Sequence, residues 1–205
     1  MAVKGGKRVI KKSEKRRVPE VLIYEMKRGK PIYYRDYQKV LSGEKTPEEV
    51  MGSSKIQWFI LYLIYSYLVQ KLDRNRYIIA TNEAGFKTTK GSWRNLDIAI
   101  FEKEKLLREG IDHRYTAVAP EVVIEIDTKA DLTKYGDFMN YCREKTQELL
   151  DAGVKKVIWY TTFDKKVMIA EEGKKWFITG WDEEVEIIED IKINLQNLLE
   201  EEIEG

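Results

Sequence analysis

Cysteine and histidine are almost missing from this chain of 205 residues, which contains one of each, Cys142 and His113. A single cysteine excludes an internal disulfide. The nitrogen and sulfur ligands that structural zinc prefers are also too few to form a site. Any metal that the protein binds would therefore be held by oxygen atoms, which suits Mg²⁺ or Mn²⁺.

Long apolar runs are scarce as well. The most apolar run, Trp58–Val69, is shorter than the roughly 18 residues that a membrane-spanning helix needs, so we expect a buried helix and no membrane partner. The basic N-terminus is not followed by the apolar core of a signal peptide. We therefore expect a protein of the reducing cytoplasm.

Neither sign of charge dominates the whole chain, whose formal net charge is +1, but the charges are unevenly placed. Residues 4–17 include eight Lys or Arg against Glu14 alone, and residues 182–204 are strongly acidic. Residues 1–17 are predicted either to contact phosphates or to form a disordered tail that aids solubility. Residues 18–205 would form one domain. The many Lys and Glu residues are typical of proteins from hot habitats.

The order of predicted elements indicates an α/β fold in which helices flank one mixed sheet. The predicted strands cover residues 77–81, 95–101, 120–127, 156–161, 166–170, 175–179 and 185–188, and the predicted helices cover 54–72, 131–151 and 195–203. Residues 21–26 fit a strand or the start of a helix. Residues 82–85 are predicted to form a turn between two strands.

Two of the predicted strands carry carboxylates among apolar residues. Asp97 interrupts the strand at 95–101, and Glu125 and Asp127 interrupt the strand at 120–127. Because side chains alternate along a strand, these acids point away from their apolar neighbours and can converge. A buried carboxylate costs several kcal/mol unless a cation or hydrogen bonds compensate it. The pattern therefore predicts a bound cation, most simply a divalent metal.

A lysine interrupts the apolar stripe of the next predicted helix, residues 131–151. Lys145 lies at helical spacing from Cys142 and Leu149. Such a lysine either extends to solvent or meets an anion, and Glu125 stands on the strand just before the helix. Together with a metal ion held by the strand acids, Lys145 would form the arrangement that enzymes use to hydrolyse phosphodiesters. Alone, it would be a structural salt bridge.

Six short motifs along the chain occur in an order and at spacings that match a known family. They are Tyr24–Lys30, Ser53–Gln57, Asn82–Phe86, Asn95–Asp97, Pro120–Lys129, and Lys145 followed by Gly153. Together they make the chain, from about Tyr24 to Leu199, resemble a family of restriction-endonuclease-like proteins of cyanobacteria and thermophiles, within the PD-(D/E)XK nuclease superfamily. Three positions depart from the family pattern: Leu96 replaces proline, Gln57 replaces histidine, and Asp127 stands where the superfamily has a lysine.

The resemblance implies a restriction-endonuclease-like core and assigns roles to particular residues. Asp97 and Glu125 would ligate magnesium or manganese, together with the backbone carbonyl of Ile126. Lys145 would orient or activate the attacking water and offset charge on the phosphate. Lys129, at the mouth of the site, is the competing candidate for that role.

Three further acids are candidates for additional roles. Glu25 and Glu83 match acids of the family that could be extra ligands or neighbours of the ligands, although each could equally be an ordinary turn or surface glutamate. Asp127 could bind a second metal ion. The aromatic residues Trp58, Tyr62, Tyr65 and Tyr67 are expected in the core and not on a base-stacking surface.

The leading hypothesis is a Mg²⁺- or Mn²⁺-dependent endonuclease that hydrolyses DNA phosphodiester bonds. A homodimer is expected by analogy with nucleases that cut both strands. One alternative is a catalytically inactive nuclease fold that binds nucleic acid or a partner. Another is a domain whose strand acids only pair with Lys129 and Lys145.

Overall fold

The computed structural model describes residues 17–204, so the predicted role of the basic segment lies almost entirely outside the described residues. The strands are β1 Ile23–Lys27, β2 Lys30–Tyr33, β3 Tyr77–Thr89, β4 Ser92–Glu102, β5 Val122–Ile126, β6 Lys156–Thr161, β7 Lys166–Glu171, β8 Phe177–Gly180, β9 Val185–Ile188 and β10 Ile191–Ile193. The helices are α1 Tyr37–Ser42, α2 Pro47–Met51, α3 Lys55–Lys71, α4 Lys103–Glu109, α5 Phe138–Asp151 and α6 Leu195–Glu204.

Eight strands form one mixed sheet in the order β2-β1-β4-β5-β6-β7-β8, with β3 paired to β4. Strands β5 and β6 run parallel, and β4 runs antiparallel to its neighbours. Strand β4 pairs with β3 along its length, with β1 at Trp93, and with β5 from Ile98 to Ile100. Between Trp93 and Ile98, β4 therefore passes from one partner strand to another.

Apolar cores cover both faces of the sheet. On one face, Tyr141, Cys142 and Leu149 of α5 pack against the strands. On the other face, α3 and α6 pack against the strands that carry Ile98 and Ile124. This arrangement confirms the predicted fold class, a central mixed sheet flanked by helices.

Helix α3 begins where the sequence predicts, because the Ser54 side chain accepts a hydrogen bond of 3.3 Å from the Gln57 backbone N–H. The helix buries one stripe only, formed by Gln57, Ile60, Leu63, Ile64 and Leu68. Three of its aromatic residues, Trp58, Tyr62 and Tyr65, are 49%, 44% and 38% exposed, so the prediction that they belong to the core was wrong. Neither α3 nor any other helix within residues 17–204 is long and apolar enough to cross a membrane.

Helix α5 begins at Phe138, seven residues after the predicted start. Gly136, with φ +83°, turns the chain just before the helix, and the Asp137 side chain accepts a hydrogen bond of 2.8 Å from the Asn140 backbone N–H. Asp137 is therefore the N-cap. The helix ends at Asp151, followed by Gly153 with φ +99°, as the sequence predicts.

The predicted turn at residues 82–85 is a β-bulge inside β3. Asn82 and Glu83 adopt φ values of 64° and 55°, and the pairing with β4 shifts between Thr81 and Ala84. The strand then continues to Thr89, and the chain reverses at Lys90–Gly91. A bulge re-aims the side chains next to it, which matters for Glu83.

Candidate active site

The acids predicted to converge lie where β4 passes from β1 to β5. The register of Ile98 with Ile124, continued by one residue, places Asp97 opposite Glu125. The Ile126 backbone N–H donates a hydrogen bond of 2.8 Å to Asp97 Oδ2. Asp97 therefore contacts the strand that carries Glu125.

Both carboxylates are buried and short of positive charge. Burial raises the pKa of Asp97 to about 6, against the lowering effect of the Ile126 N–H and the charge of Lys145. Burial also raises the pKa of Glu125 well above its usual value, where Lys145 opposes the shift and Asp97 adds to it. The ionised forms of these two acids would be stabilised by an added cation.

Lys145 is fully buried and points from α5 towards the sheet, so of the two alternatives it meets anions and does not extend to solvent. Its Nζ lies 2.7 Å from the Asn95 carbonyl oxygen, 2.8 Å from Glu25 Oε1 and 2.9 Å from Glu125 Oε1. Burial lowers the pKa of Lys145, but the two glutamates outweigh burial and raise it above the ordinary value. Three oxygens at these distances enclose the ammonium group. A phosphate oxygen has no open approach to it in this arrangement.

Glu25 is fully buried on β1, so the alternative of an ordinary turn or surface glutamate was wrong for this residue. Its Oε2 accepts hydrogen bonds of 2.8 Å from Arg94 Nη1 and 2.7 Å from the Tyr141 hydroxyl. Burial raises the pKa of Glu25, but Lys145 and Arg94 together outweigh burial, and the pKa lies below its usual value. Glu25 is a compensated, ionised group.

Arg94 belongs to the same cluster and was missed by the sequence analysis. It is fully buried on β4, and its Nη2 lies 2.5 Å from Glu148 Oε2 on α5. Glu148 Oε1 in turn accepts a hydrogen bond of 2.5 Å from the Thr88 hydroxyl. The available signal was a cation directly before the predicted strand at residues 95–101 and three residues before Asp97.

The backbone at the end of β5 is held by Gln57, which stands where the resembled family often has histidine. Gln57 is buried on α3, and its Nε2 donates a hydrogen bond of 2.6 Å to the carbonyl oxygen of Ile126. That carbonyl is the predicted third metal ligand. It keeps a second lone pair, since a carbonyl oxygen has two.

Glu83 and Lys129 form an ion pair at the mouth of the site. The Tyr34 hydroxyl donates a second hydrogen bond, of 3.1 Å, to Glu83. The bulge in β3 aims Glu83 at this position, and the charges of Lys129 and Glu83 reach Asp97, where the first lowers and the second raises its pKa. Glu83 therefore lies in a bulge and not in a turn, and its predicted role beside the ligands stays a prediction.

Asp127 turns away from the other acids. Its φ of 54° bends the chain at the end of β5. Its Oδ1 accepts a hydrogen bond of 2.8 Å from the Thr162 backbone N–H, and its Oδ2 accepts one of 2.6 Å from the Thr162 hydroxyl. The carboxylate thus fastens the turn between β6 and β7. Its predicted role in binding a second metal stays a prediction.

Two clefts open beside these residues, and Lys129 lines both. One, of about 430 Å³, is lined by Asp97, Glu83 and Tyr34. The other, of about 390 Å³, is lined by Asp127, Gln57 and Phe163. Asp97 therefore faces open space, whereas Lys145 and Glu25 do not.

The structure brings Asp97, Glu125, Ile126 and Lys145 together, with Glu25 behind them and Glu83 and Lys129 in front. Within residues 17–204, no group of three or more Asp, Glu, His or Cys side chains is placed to hold a metal ion. The oxygen donors available to a cation are thus two carboxylates and one backbone carbonyl. Their roles as ligands stay predictions.

The fold that positions these acids is a mixed sheet flanked by helices, with the acids buried where β4 changes its partner strand. The chain is similar in structure to a protein of Anabaena variabilis ATCC 29413, a member of the DUF820 family described as a "putative nuclease". The TM-score is 0.59 at 14% sequence identity, and the match covers 71% of this chain and 81% of that protein. At this identity the likeness shows the fold. The sequence matches no family profile, and no curated protein is significantly similar to it.

Proposed function

We propose that this protein is a metal-dependent nuclease that hydrolyses DNA. One observation carries the proposal: Asp97 and Glu125 are buried together, short of positive charge, at the edge of a cleft that holds Lys129. Buried acids without sufficient compensating charge destabilise the fold, so their presence next to an open cleft indicates a functional site.

The residues fit a magnesium or manganese ion. Lys145 is shared between Glu25 and Glu125, and Arg94 serves Glu25 and Glu148, so no cation is left to balance Asp97 fully. Two carboxylates and a carbonyl are donors that hard cations accept, and Mg²⁺ commonly completes its shell with water and phosphate oxygens. When bound, such an ion supplies Lewis-acid polarisation of the phosphoryl group and a more acidic water.

The two lysines receive different roles. Lys145 is enclosed by three oxygens, so we assign it the task of holding Glu125 in place, as a positioning residue. Lys129 lines the cleft and is paired only with Glu83 among residues 17–204, so we assign it the contact with the scissile phosphate. A cation at that point offsets the negative charge that develops in the transition state.

A nucleic-acid substrate is expected because residues 4–17 are rich in Lys and Arg, which bind phosphates without reading sequence. The choice of DNA follows from the resemblance to restriction-endonuclease-like proteins. A homodimer stays an expectation drawn from nucleases that cut both strands.

A second candidate function is a nuclease fold that binds nucleic acid without cutting it. Two observations favour it: Asp127 replaces the superfamily's lysine and fastens a turn, and Lys145 is enclosed. In that case the protein would bind DNA in a salt-dependent manner but leave it intact.

Incubation of supercoiled plasmid with the protein in Mg²⁺, Mn²⁺ or EDTA separates the two candidates. We expect nicked or linear plasmid with metal and intact plasmid with EDTA. Asp97→Asn should remove cleavage, while the Asn side chain can still accept the hydrogen bond from Ile126. Glu172→Gln, an exposed residue paired with Lys155, is the matched control and should cut normally.

Metal binding has its own measurement. Added Mg²⁺ or Mn²⁺ should raise the melting temperature of the wild type but not that of Asp97→Asn, because a ligand that binds only the folded state stabilises it. DNA binding without cleavage and without a thermal shift would contradict the metal-dependent nuclease and support the non-cutting binder.

A further inference from the structure

The turn between β6 and β7, residues 162–165, presents an aromatic ring to solvent. Phe163 at its tip is 68% exposed. The turn lies beside the site strand, because the Thr162 backbone N–H and hydroxyl are both bonded to Asp127 at the end of β5. An exposed phenylalanine contributes little packing energy to the fold.

The ring of Phe163 is held in a fixed orientation. Its centroid lies 5.6 Å from that of Phe138 at an interplanar angle of 78°, and Phe138 lies 5.6 Å from buried Trp159 at 86°. Edge-to-face contacts of this kind are favourable arrangements for aromatic pairs. At 68% exposure, most of the Phe163 side chain remains open to solvent.

The turn itself is rigidly tied. Besides the two bonds to Asp127, the Thr161 hydroxyl donates a hydrogen bond to Asp164, and the Lys166 backbone N–H donates one of 3.2 Å to the Thr161 hydroxyl oxygen. A ring on such a turn loses little conformational freedom when a ligand stacks on it, which favours binding.

The cleft beneath the ring also contains a cation. Phe163 and Arg35 line the same cleft of about 390 Å³, a volume within the range of small-ligand sites. Arg35 Nη2 donates a hydrogen bond of 2.6 Å to the Thr128 carbonyl oxygen, and Arg35 forms no ion pair with any residue of the described part of the chain. Its planar guanidinium group keeps donors that suit a phosphate.

We propose that this cleft binds one unpaired nucleotide, with its base stacked on Phe163 and its phosphate on Arg35. The inference rests on the proposed action on nucleic acid and adds a substrate class: strands with an unpaired nucleotide next to the cleavage site. A base inside a duplex cannot offer its face to Phe163, whereas single strands, flaps and frayed ends can.

Binding of a short labelled oligothymidylate, measured by fluorescence anisotropy in EDTA, tests the inference without any cleavage. Phe163→Ala should weaken binding of the single strand roughly 5- to 150-fold, the range that one stacked base contributes. Phe163→Trp should restore it. Arg35→Gln should weaken it as well and flatten its salt dependence. Phe177→Ala, which removes an equally apolar ring that is 55% exposed on β8, is the control and should bind normally.

A strand carrying 2-aminopurine reports stacking directly, because its emission is quenched when the base stacks on a ring. We expect quenching by the wild type and by Phe177→Ala but not by Phe163→Ala. Parallel arms with the matching RNA strand and with duplex DNA show which strands enter the cleft, and the duplex should not respond to Phe163→Ala.

The inference would be overturned if Phe163→Ala and Phe177→Ala bound the single strand with equal affinity. It would also be overturned if the wild-type protein bound duplex more tightly than single strand. A protein that stacks the strand on Phe163 but leaves plasmid intact would keep this inference and overturn the nuclease. If the protein cuts plasmid while Phe163→Ala binds the single strand like the wild type, the nuclease proposal is kept and the stacking inference is overturned.

Discussion

The buried charges on the two sides of Lys145 differ in how well they are compensated. On one side, Glu25 meets Lys145, Arg94 and the Tyr141 hydroxyl, and its pKa is lowered in spite of burial. We call Glu25, Arg94 and Tyr141 the closed half. On the other side, the charge of Lys145 acts on both Glu125 and Asp97 but does not outweigh their burial, and their pKa values are raised. We call Glu125 and Asp97 the open half.

Equally buried glutamates thus have pKa values that are shifted in opposite directions in the two halves. Glu25 and Glu125 are both almost completely removed from solvent and touch the same ammonium group, so burial alone cannot explain the difference. The difference comes from Arg94 and the Tyr141 hydroxyl, which contact Glu25 but not Glu125, and from the charge of Asp97, which raises the pKa of Glu125. A compensated cluster stabilises the fold, whereas an undercompensated one beside a cleft is where a metal ion would bind.

Loss of the ammonium that both halves share should have the largest effect. Lys145→Met leaves Glu25 and Glu125 buried without their common cation, and we expect the free energy of unfolding to fall by about 3 to 5 kcal/mol. Urea denaturation at pH 7 measures it. The control is Lys155→Met, whose exposed pair with Glu172 contributes little. Equal stability of the two variants would contradict the account of Lys145 as the central positioning residue.

The same substitution on either side of Lys145 tests the comparison most directly. Glu25→Gln should lower the free energy of unfolding by about 3 kcal/mol, because it leaves Arg94 and Lys145 with fewer partners. Glu125→Gln should leave it unchanged or raise it, because the amide removes a carboxylate that is costly to ionise. Parallel denaturation curves measure both. A larger loss in Glu125→Gln would reverse the assignment of the two halves.

The pH dependence of stability should reveal the open half. Asp97 has a pKa of about 6 in the folded protein, above the usual value, so between about pH 4 and pH 6 the folded state binds a proton that the unfolded state releases. Stability from this group therefore falls as the pH rises through that window and then levels off. Relative to the wild type, Asp97→Asn should gain about 1 to 3 kcal/mol from pH 4 to pH 7 without divalent ions.

Denaturation of Asp97→Asn and wild type at both pH values provides the measurement. A difference between them that does not change with pH would mean that Asp97 is not an undercompensated acid. Mg²⁺ should reduce the difference, since it stabilises the ionised form of the wild type only.

The smallest effect on stability is expected for the lysine of the cleft. Lys129→Met breaks a partly exposed pair with Glu83, so the free energy of unfolding should change by less than about 1 kcal/mol. Plasmid cleavage should nevertheless fall by orders of magnitude, because the charge is needed mainly in the transition state. A Lys129→Met protein that cuts at the wild-type rate would return the catalytic role to Lys145.

Local patterns were a good guide to the regular elements. The strands that carry Asp97 and Glu125, the extent of α3 and the glycine that follows α5 all lie where the sequence indicates. Each depends on a period or on a residue type within a few positions. The direction of Lys145 was also predictable, because an apolar stripe at helical spacing must face the sheet.

Boundaries that depend on backbone conformation were harder to predict. The start of α5 was predicted too early, because Gly136 and Asp137 were read as part of the helix. The bulge at Asn82 and Glu83 was read as a turn, because residues that favour turns also form bulges. Helix α1 and strand β10 were not predicted at all, since each is too short to show a period.

The sequence by itself determined the fold class, the oxygen chemistry of any metal site, and the faces on which Asp97, Glu125 and Lys145 lie, because these follow from composition and from periods of two and 3.6 residues. Only the tertiary structure decided that Arg94 compensates Glu25, that Lys145 is enclosed, and that Asp127 fastens the Phe163 turn. Glu25 and Tyr141 are 116 residues apart, and Arg94 and Glu25 are 69 apart. Contacts over such distances are set by how the sheet and helices pack, which no local pattern specifies.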